Sequence, residues 1–234
     1  VLVTHSPDSE LMVRLFLRSP GQRRRVLELL PELRRRLPGT RVVTVNLQPE
    51  HKAVLEGPDE EVLTAESTLP MRIDDLTLHL RPRSFFQTST PMAAALYREA
   101  RTWIDDASPQ VLWDLYCGVG GFALHAAGPG REVLGVEASA EAVASARTSA
   151  AALVGSGPVR FEVGDATAYL SPGHRPEVGA PPDLVVVNPP RRGIGPLAAD
   201  LEAARVPRVL YSSCNATSLA RDLAGSRRFA LVVE

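Results

Sequence analysis

Cysteine is scarce in this sequence, because Cys117 and Cys214 are the only two among 234 residues. Two cysteines exclude a disulfide framework and a four-cysteine metal site, and they favour a reducing, cytoplasmic setting. Long apolar runs are also lacking, since none approaches the roughly 18 residues of a membrane-spanning helix. The first residues carry no basic, apolar and small-residue regions of the kind that form a signal peptide. The sequence therefore predicts a cytoplasmic protein that does not enter a membrane.

An excess of charge is lacking as well. The formal net charge is −1 and the pI is about 6.6, so the chain as a whole gives no electrostatic argument for nucleic-acid binding. The basic residues are 25 arginines and one lysine, Lys52, and arginine is the better residue for forked contacts with phosphate. With 44% hydrophobic residues the chain is too apolar to be disordered, and its length suits one large domain or two small ones.

Residues 1–82 have the pattern of a small α+β module. Apolar runs typical of strands occur at 11–17, 41–47, near 53–55 and at 76–80. Between the first two runs, an apolar stripe has the spacing of an amphipathic helix: Val26, Leu29, Leu30, Leu33 and Leu37. Six arginines flank the stripe: Arg23, Arg24, Arg25, Arg34, Arg35 and Arg36. They form either a phosphate-binding surface or a solvated helix face.

Residues 83–234 alternate between strand and helix patterns. Ser89 or Thr90 is positioned to cap a helix that Pro91 opens and that runs to about Ile104. Strands are predicted at 111–116, 132–136, 159–163, 184–187 and 208–212, and helices at 122–127, 140–153, 196–204 and 219–223. Residues 171–182 are typical of a loop, and 229–233 form a last apolar run. The alternation predicts an α/β domain with a parallel, doubly wound sheet.

A glycine-rich turn follows the first strand of this sheet. Gly118 and Gly120 allow a ligand to approach the backbone at the strand's carboxyl end. Glu137 and Asp165 end the next two strands, where carboxylates accept hydrogen bonds from a ribose or an adenine edge. The same features also suit a tight turn with solvated acids.

Two cofactors are compatible with the turn. Its glycine spacing meets the relaxed dinucleotide fingerprint, which would make Glu137 a ligand of the NAD ribose. Asp114, inside the first strand, is unsuited to a pyrophosphate but suits the ammonium group of S-adenosylmethionine. The sequence Asn188-Pro189-Pro190 ends the fourth strand, and it has no role in hydride transfer. S-adenosylmethionine is therefore the favoured cofactor.

The segment after the fourth strand indicates which kind of atom receives the methyl group. Two prolines fix the backbone and hold the Asn188 amide over the cofactor pocket. Methyltransferases of exocyclic amines usually have an aromatic residue next, whereas this chain has Arg191, which argues against amine methylation. Arg191 and Arg192 suit RNA phosphates or a pyrimidine carbonyl, with a solvated surface as the alternative.

Cys214 follows the fifth strand, at the same edge of the predicted sheet as Gly118 and Asn188. A lone cysteine is usually a small core residue. In this setting a thiolate is a candidate nucleophile. Because C5 of uracil is too weak a nucleophile to attack a sulfonium methyl group, addition of a thiolate at C6 would activate it.

These motifs together resemble the RNA uracil-5-methyltransferases, in particular the bacterial branch that modifies uridine 747 of 23S ribosomal RNA. The similarity is carried by the segments at 84–88, 113–122, 187–195 and 211–216, and it extends to 11–14 and 43–49. It implies a Rossmann-like class I S-adenosylmethionine-dependent methyltransferase domain at 83–234, preceded at 1–82 by a central module that contacts RNA. It also implies a cytoplasmic monomer that acts on 23S ribosomal RNA.

The resemblance also assigns roles to residues. Gln87, Tyr116, Glu137 and Asn188 match the family's cofactor-binding positions, with Asp114, Gly118, Gly120 and Asp165 in the same pocket, and Cys214 matches its nucleophile. For Phe85 and Phe86 the alternative is a strand end with two core aromatic side chains.

The chain departs from the family pattern in two ways. The family's four cysteines for an iron–sulfur cluster are absent from these residues, and its general base, a glutamate, lies beyond Glu234. We therefore expect a fragment or a truncated gene product whose methyltransferase domain lacks its last strand. Three rival functions stay open: an NAD-linked oxidoreductase, an amino-group methyltransferase and a non-catalytic RNA- or cofactor-binding remnant.

Overall fold

A computed structural model of the chain describes residues 1–50, 56–170 and 180–224. The chain divides into two compact units, Val1–Ser84 and Phe85–Glu234. The strand predicted near 53–55, most of the loop predicted at 171–182 and the last apolar run lie outside the described residues. Among the residues that are described, no helix has the length and apolar character needed to cross a membrane.

The first unit contains six described strands and one α-helix. They are β1 (Leu2–His5), β2 (Leu11–Leu17), α1 (Arg23–Arg36), β3 (Thr40–Leu47), β4 (Asp59–Val62), β5 (Leu69–Ile73) and β6 (Leu76–Leu80). One sheet has the order β1-β2-β3-β4, in which only β2 and β3 are parallel, while β5 and β6 form a hairpin. The strands predicted at 11–17, 41–47 and 76–80 are confirmed, whereas β1, β4 and β5 were not predicted.

A buried ion cluster joins three strands of the first unit. Arg14 on β2 is only 2% exposed, and it donates to Glu60 on β4 (Nη2–Oε2 2.6 Å) and to Glu56 (Nη1–Oε1 2.6 Å). Asn46 on β3 also donates to Glu60, at 2.8 Å. Because every charge in this cluster has a partner, its burial is compatible with a stable sheet.

The amphipathic helix is confirmed as α1, but it lies at the surface. None of its residues is fully buried, and Val26, Leu30 and Leu33 form a half-buried stripe. Five of its six flanking arginines form ion pairs with the glutamates at 28, 32 and 61. These pairs compensate part of the positive charge, so the phosphate-binding surface stays a prediction with a weaker basis.

The second unit begins with a long helix and continues as alternating strands and helices. They are α2 (Thr90–Ala107), β7 (Val111–Leu115), α3 (Gly121–Ala126), β8 (Glu132–Glu137), α4 (Ala140–Ala150), β9 (Val159–Val163), β10 (Leu184–Val187), α5 (Leu197–Ala203), β11 (Arg208–Tyr211) and α6 (Ala216–Ala224). The described strands form one parallel sheet of order β11-β10-β7-β8-β9. The predicted doubly wound sheet is thus confirmed.

The strand order creates a switch point between β7 and β10. From β7 the chain proceeds through β8 to β9 on one side, and it then returns to add β10 and β11 on the other. Ligands of open α/β sheets bind in the crevice that such a reversal opens at the carboxyl ends of the strands. The fold therefore places the crevice next to the residues that follow β7 and β10.

Local sequence explains the main elements of this unit. The four residues of β10 are all buried, as expected of a central strand covered on both faces. The Ser89 hydroxyl caps α2 by accepting from the Met92 amide (3.4 Å), as predicted, and the buried face of α2 follows helical spacing.

Three helix boundaries differ from the prediction by three residues, and the first is the end of α2, which is Ala107 instead of about Ile104. Helix α4 ends at Ala150 instead of 153, with residues 151–152 in a turn. Helix α6 begins at Ala216 instead of 219, because the Asn215 side chain accepts from the Thr217 amide (3.0 Å) and caps the helix earlier.

Candidate cofactor and nucleophile site

The parallel sheet brings the predicted site residues to one edge. Tyr116, Asp165, Asn188 and Cys214 lie just beyond the ends of β7, β9, β10 and β11, and Glu137 is the last residue of β8. The Ser212 amide donates to the Val187 carbonyl (2.9 Å), so the segments after β10 and β11 leave the sheet side by side.

The glycine-rich turn after β7 has a strained backbone. Gly118 and Gly120 have φ values of 55° and 85°, and Tyr116 also has a positive φ, 69°. A Cβ atom added to Gly118 would meet nothing within 4 Å, so the turn borders open space there. This open space adjoins the crevice, as expected for a backbone that a ligand approaches closely.

The ring of Phe161, on β9, packs beneath two glycines. A Cβ atom on Gly120 would lie 2.9 Å from its Cζ, and one on Gly135 would lie 2.6 Å from its Cε1. The ring therefore occupies the space that side chains on the turn and on β8 would need.

Glu137 is held by two backbone amides. Its Oε2 accepts from Gly118 N (3.2 Å) and its Oε1 from Ser139 N (2.9 Å). Ser139 also caps α4 by accepting from the Ala142 amide (3.2 Å). Each carboxylate oxygen retains a lone pair, so a fixed and half-buried acceptor pair remains for the hydroxyls of a ligand.

Asp114 is fully buried beneath the turn. Its Oδ2 accepts from the Ala123 amide (2.9 Å), while its Oδ1 has no hydrogen-bond partner among the described residues. Burial raises the pKa of Asp114 to about 7, the nearby charge of Glu137 adds to the rise, and the Ala123 bond opposes it. This carboxyl group therefore fixes the start of α3, and it has one unsatisfied oxygen.

The loop after β10 begins with a tight turn. Gly193, with φ 84°, donates its amide to the Pro190 carbonyl (2.9 Å), so Arg191 and Arg192 form the exposed tip of a turn. Hydrogen bonds from Thr167 chiefly hold the pKa of Asp165 below its usual range, and the Arg192 charge lowers it further. Burial raises the pKa of Tyr116, which also senses Asp165 and Arg192. These groups therefore share one electrostatic environment.

The two cysteines have opposite environments. Cys117 is buried within the turn, where burial and the charges of Asp114 and Glu137 raise the pKa of its thiol. Cys214 is exposed, one residue before the Asn215 cap of α6. An exposed thiol near a helix N-terminus is accessible to a substrate, whereas the Cys117 thiol stays protonated and enclosed.

Gln87 lies half-buried, two residues before the cap of α2. Phe85 is 73% exposed, and the structure has no strand at 84–88. The alternative of two core aromatic side chains is thus wrong for Phe85.

Several residues that shape the site were not predicted. Ser139 positions Glu137, and Asn215 positions the start of α6. Asp222, on α6, accepts from the Ile194 amide (2.8 Å) and from the Tyr211 hydroxyl (2.8 Å). The caps at Ser139 and Asn215 have a local sequence signal, whereas the contacts of Asp222 depend on tertiary packing. In the described ranges, no group of three or more potential metal ligands stands together.

Comparison with known proteins tests the resemblance to a family. No family model matches the chain. Over 225 residues, 95% of the chain, it is 44% identical to the 23S rRNA (uracil(747)-C(5))-methyltransferase RlmC of Yersinia pseudotuberculosis serotype I (strain IP32953). The predicted resemblance to the RNA uracil-5-methyltransferases is confirmed. The chain spans 58% of the length of this curated relative.

Solved structures agree with the fold. The tRNA (uracil-54, C5)-methyltransferase of Pyrococcus abyssi, in complex with S-adenosyl-L-homocysteine, matches 95% of this chain and 51% of its own, with a TM-score of 0.68 and 23% identity. Methanocaldococcus jannaschii Trm5, in complex with adenosine, matches 95% of this chain and 62% of its own, with a TM-score of 0.53 and 12% identity. The expected Rossmann-like methyltransferase fold is confirmed.

Proposed function

We propose that this protein transfers a methyl group from S-adenosylmethionine to C5 of a uridine in 23S ribosomal RNA, with Cys214 as nucleophile. The observation that carries the proposal is the convergence of the glycine-rich turn, Asn188 and the exposed Cys214 at one sheet edge. The identity of 44% with a 23S rRNA uracil-C5-methyltransferase supports the substrate. Neither an oxidoreductase nor an amine methyltransferase needs a thiol at this edge.

The residues present suit this cofactor. Glu137 offers two fixed acceptor oxygens, which match the two hydroxyls of a ribose. The open space at Gly118 accommodates a ligand against the backbone, and the unpartnered oxygen of Asp114 suits a nearby cation. Tyr116, Gln87, Asn188 and Asp165 complete the binding set that we propose. When bound, S-adenosylmethionine supplies an electrophilic methyl group.

Cys214 would activate the uracil ring by covalent addition. The thiolate forms a bond to C6, and the electrons of the C5–C6 double bond move toward C5 and the O4 carbonyl. C5 would thereby become nucleophilic enough to attack the methyl group, with the methyl–sulfur bond broken and S-adenosylhomocysteine released. A general base then takes the C5 proton, the C6–sulfur bond breaks, and the thiolate is regenerated.

The RNA partner would contact the exposed turn after β10. Arg191 and Arg192 are exposed, the Arg192 charge acts on Asp165 and Tyr116, and guanidinium groups bind phosphates well. We propose a cytoplasmic monomer, since ribosomal RNA is a cytoplasmic substrate in bacteria. The 1–82 module is proposed to contribute further RNA contacts.

An iron–sulfur cluster does not fit the residues present. Such a cluster is held by four thiolates, and this sequence has two cysteines. Cys117 is buried within the glycine-rich turn, and Cys214 has the proposed role of nucleophile.

The test uses the protein expressed from its complete gene, labelled S-adenosylmethionine and a 23S RNA fragment. We expect label in 5-methyluridine, loss of label with Cys214→Ala, and no label when the target uridine is replaced by cytidine. Cys117→Ala is the matched cysteine control and should retain activity if it folds. Label in an N-methylated base would support an amine methyltransferase instead, and hydride transfer with NAD would refute the proposal.

A further inference from the structure

Helix α6 connects the loop after β10 to the residues that carry the candidate nucleophile. We call residues 212–215, between β11 and α6, the Cys214 segment. Asn215, which caps this helix, donates its side-chain amide to the Arg191 carbonyl (3.0 Å). Asp222 lies seven residues further on, which is two helical turns, so both side chains face the same way. Its Oδ2 accepts from the Ile194 amide (2.8 Å). One face of α6 thus binds the 191–194 backbone at two points.

The contact at Asp222 is buried and closely packed. The Asp222 side chain is 2% exposed, and it also accepts from the hydroxyl of Tyr211 (2.8 Å), at the end of β11. A Cβ atom on Gly193 would meet the Asp222 carboxylate, with Cγ only 3.0 Å away. Gly193 therefore allows the loop to reach the carboxylate, and its positive φ of 84° also favours glycine.

The carboxylate is the charged form in this position. Burial opposes ionisation, but the bonds from Ile194, Tyr211 and Arg221 outweigh it and keep the pKa of Asp222 below its usual range. Burial and the adjacent Asp222 raise the pKa of Tyr211, so its hydroxyl remains a proton donor. Arg221 adds a hydrogen bond to the Arg192 carbonyl from the exposed side.

We propose that Asp222 is a positioning residue, which fixes the Cys214 segment relative to the loop that begins at Asn188; this inference rests on the proposed function. Within the part of the chain that the structure describes, Asp222 bonds to Ile194, Tyr211 and Arg221 and not to Cys214 or a proposed cofactor-binding residue, although its charge acts on Tyr116. It joins the end of β11, the loop after β10 and the helix that starts after Cys214. The nucleophile Cys214 and the cofactor-binding residue Asn188 lie on separate segments. The distance between the thiol and the cofactor therefore depends on how firmly these two segments are joined.

The predicted kinetic effect follows from geometry. Displacing reacting groups by about 1 Å can slow an enzyme about 100-fold. We expect Asp222→Ala to lower kcat by roughly 10- to 100-fold. Asp222→Asn should retain most of the activity, because an amide oxygen still accepts from Ile194 and Tyr211. Tyr211→Phe removes the hydrogen bond from Tyr211 to Asp222 and leaves the one from Ile194. It should therefore lower kcat by an intermediate factor.

Three measurements separate positioning from loss of structure. Affinity for S-adenosylhomocysteine should fall by a smaller factor than kcat does, because Glu137 and the glycine-rich turn, which form no bond with Asp222, still hold the ligand. The rate of Cys214 alkylation by iodoacetamide should change less than about threefold, because thiol reactivity depends on exposure and pKa. Amide exchange in residues 188–195 should accelerate in Asp222→Ala by about 10-fold or more. Asp106→Asn, an exposed carboxylate on α2, is the control.

Several results of these experiments would overturn the proposed role of Asp222. Unchanged turnover in a folded Asp222→Ala protein, or unchanged exchange at 188–195, would overturn the inference. Equal losses in Asp222→Asn and Asp222→Ala would also overturn it, because the retained hydrogen bonds would then be irrelevant. If Asp222→Ala does not fold, wild-type turnover in Tyr211→Phe would overturn it. A wild-type protein that methylates no uridine would refute the proposed function, and the exchange experiment would still decide whether Asp222 holds the loop.

Discussion

Asp114 should make the stability of the second unit depend on pH. Its pKa is raised from the ordinary value of 3.8 to about 7 in the folded protein. Between these values the folded state binds a proton that the unfolded state has released, so the free energy of unfolding falls as pH rises. At one pKa unit per ~1.36 kcal/mol, the loss from pH 3.8 to above pH 7 is about 4 kcal/mol.

Replacing Asp114 by asparagine should remove this dependence. The amide oxygen can still accept from Ala123, while the NH2 group takes the place of the unpartnered Oδ1. Burial of this NH2 group lowers the free energy of unfolding by about 1–3 kcal/mol at every pH. The difference between the free energies of unfolding of the variant and of the wild type should therefore shift in favour of the variant, by about 4 kcal/mol between pH 4 and pH 8.

Urea denaturation followed by tryptophan fluorescence measures this difference. Both tryptophans, Trp103 and Trp113, lie in the second unit, so the signal reports that unit. Asp106→Asn should show the wild-type dependence, because Asp106 is an exposed carboxylate. A difference between Asp114→Asn and wild type that stays flat from pH 4 to pH 8 would refute the reasoning. In the same variant, binding of S-adenosylmethionine should weaken above pH 7, where the wild-type carboxyl group is anionic.

Three further predictions concern the same edge of the sheet. Glu137→Ala should weaken S-adenosylhomocysteine binding by about 10-fold or more in calorimetry, because two backbone amides lose their acceptor and the ligand loses an acceptor pair. Glu137→Gln should lose less affinity. Equal affinity of Glu137→Ala and the wild type would contradict the assignment. Gly193→Ala should lower the free energy of unfolding by about 1–3 kcal/mol in urea titrations, through its positive φ and its clash with Asp222, whereas an unchanged midpoint would contradict this. Iodoacetamide should label Cys214 at least about 10-fold faster than Cys117, as peptide mass spectrometry would show; equal rates would argue that the turn around Cys117 opens.

The sequence predicts the second unit well, because its signals are local. Buried parallel strands are continuous apolar runs, as at Leu184–Val187, and Ser89 with Pro91 marks the start of α2. The strands that were missed carry weaker signals. Strand β4 (Asp59–Val62) has the sequence Asp-Glu-Glu-Val, and it forms at a sheet edge by pairing with β3.

The site was only partly predictable. Residues at strand ends, such as Glu137 and Asn188, could be placed at one edge because parallel strands share a direction. Which groups fix them could not be read from the sequence. The Glu137–Gly118 bond and the Asp222–Ile194 bond join positions 19 and 28 residues apart, and they depend on how the elements pack. The complete burial of Asp114 has the same origin.

The Phe161 ring beneath Gly120 and Gly135 has a consequence for how this protein can diverge. A larger residue at position 135 would need a smaller residue at position 161, and its Cβ would also lie 3.0 Å from the Cys117 Sγ, which would have to shift. Gly120 is constrained further by its positive φ, so exchange there would remain unfavourable even after that change. Positions 135 and 161 should therefore vary as a correlated pair among homologues, with Gly120 kept. In urea titrations, Gly135→Ala should lower the free energy of unfolding less in a Phe161→Ala background, which removes the ring, than in the wild-type background.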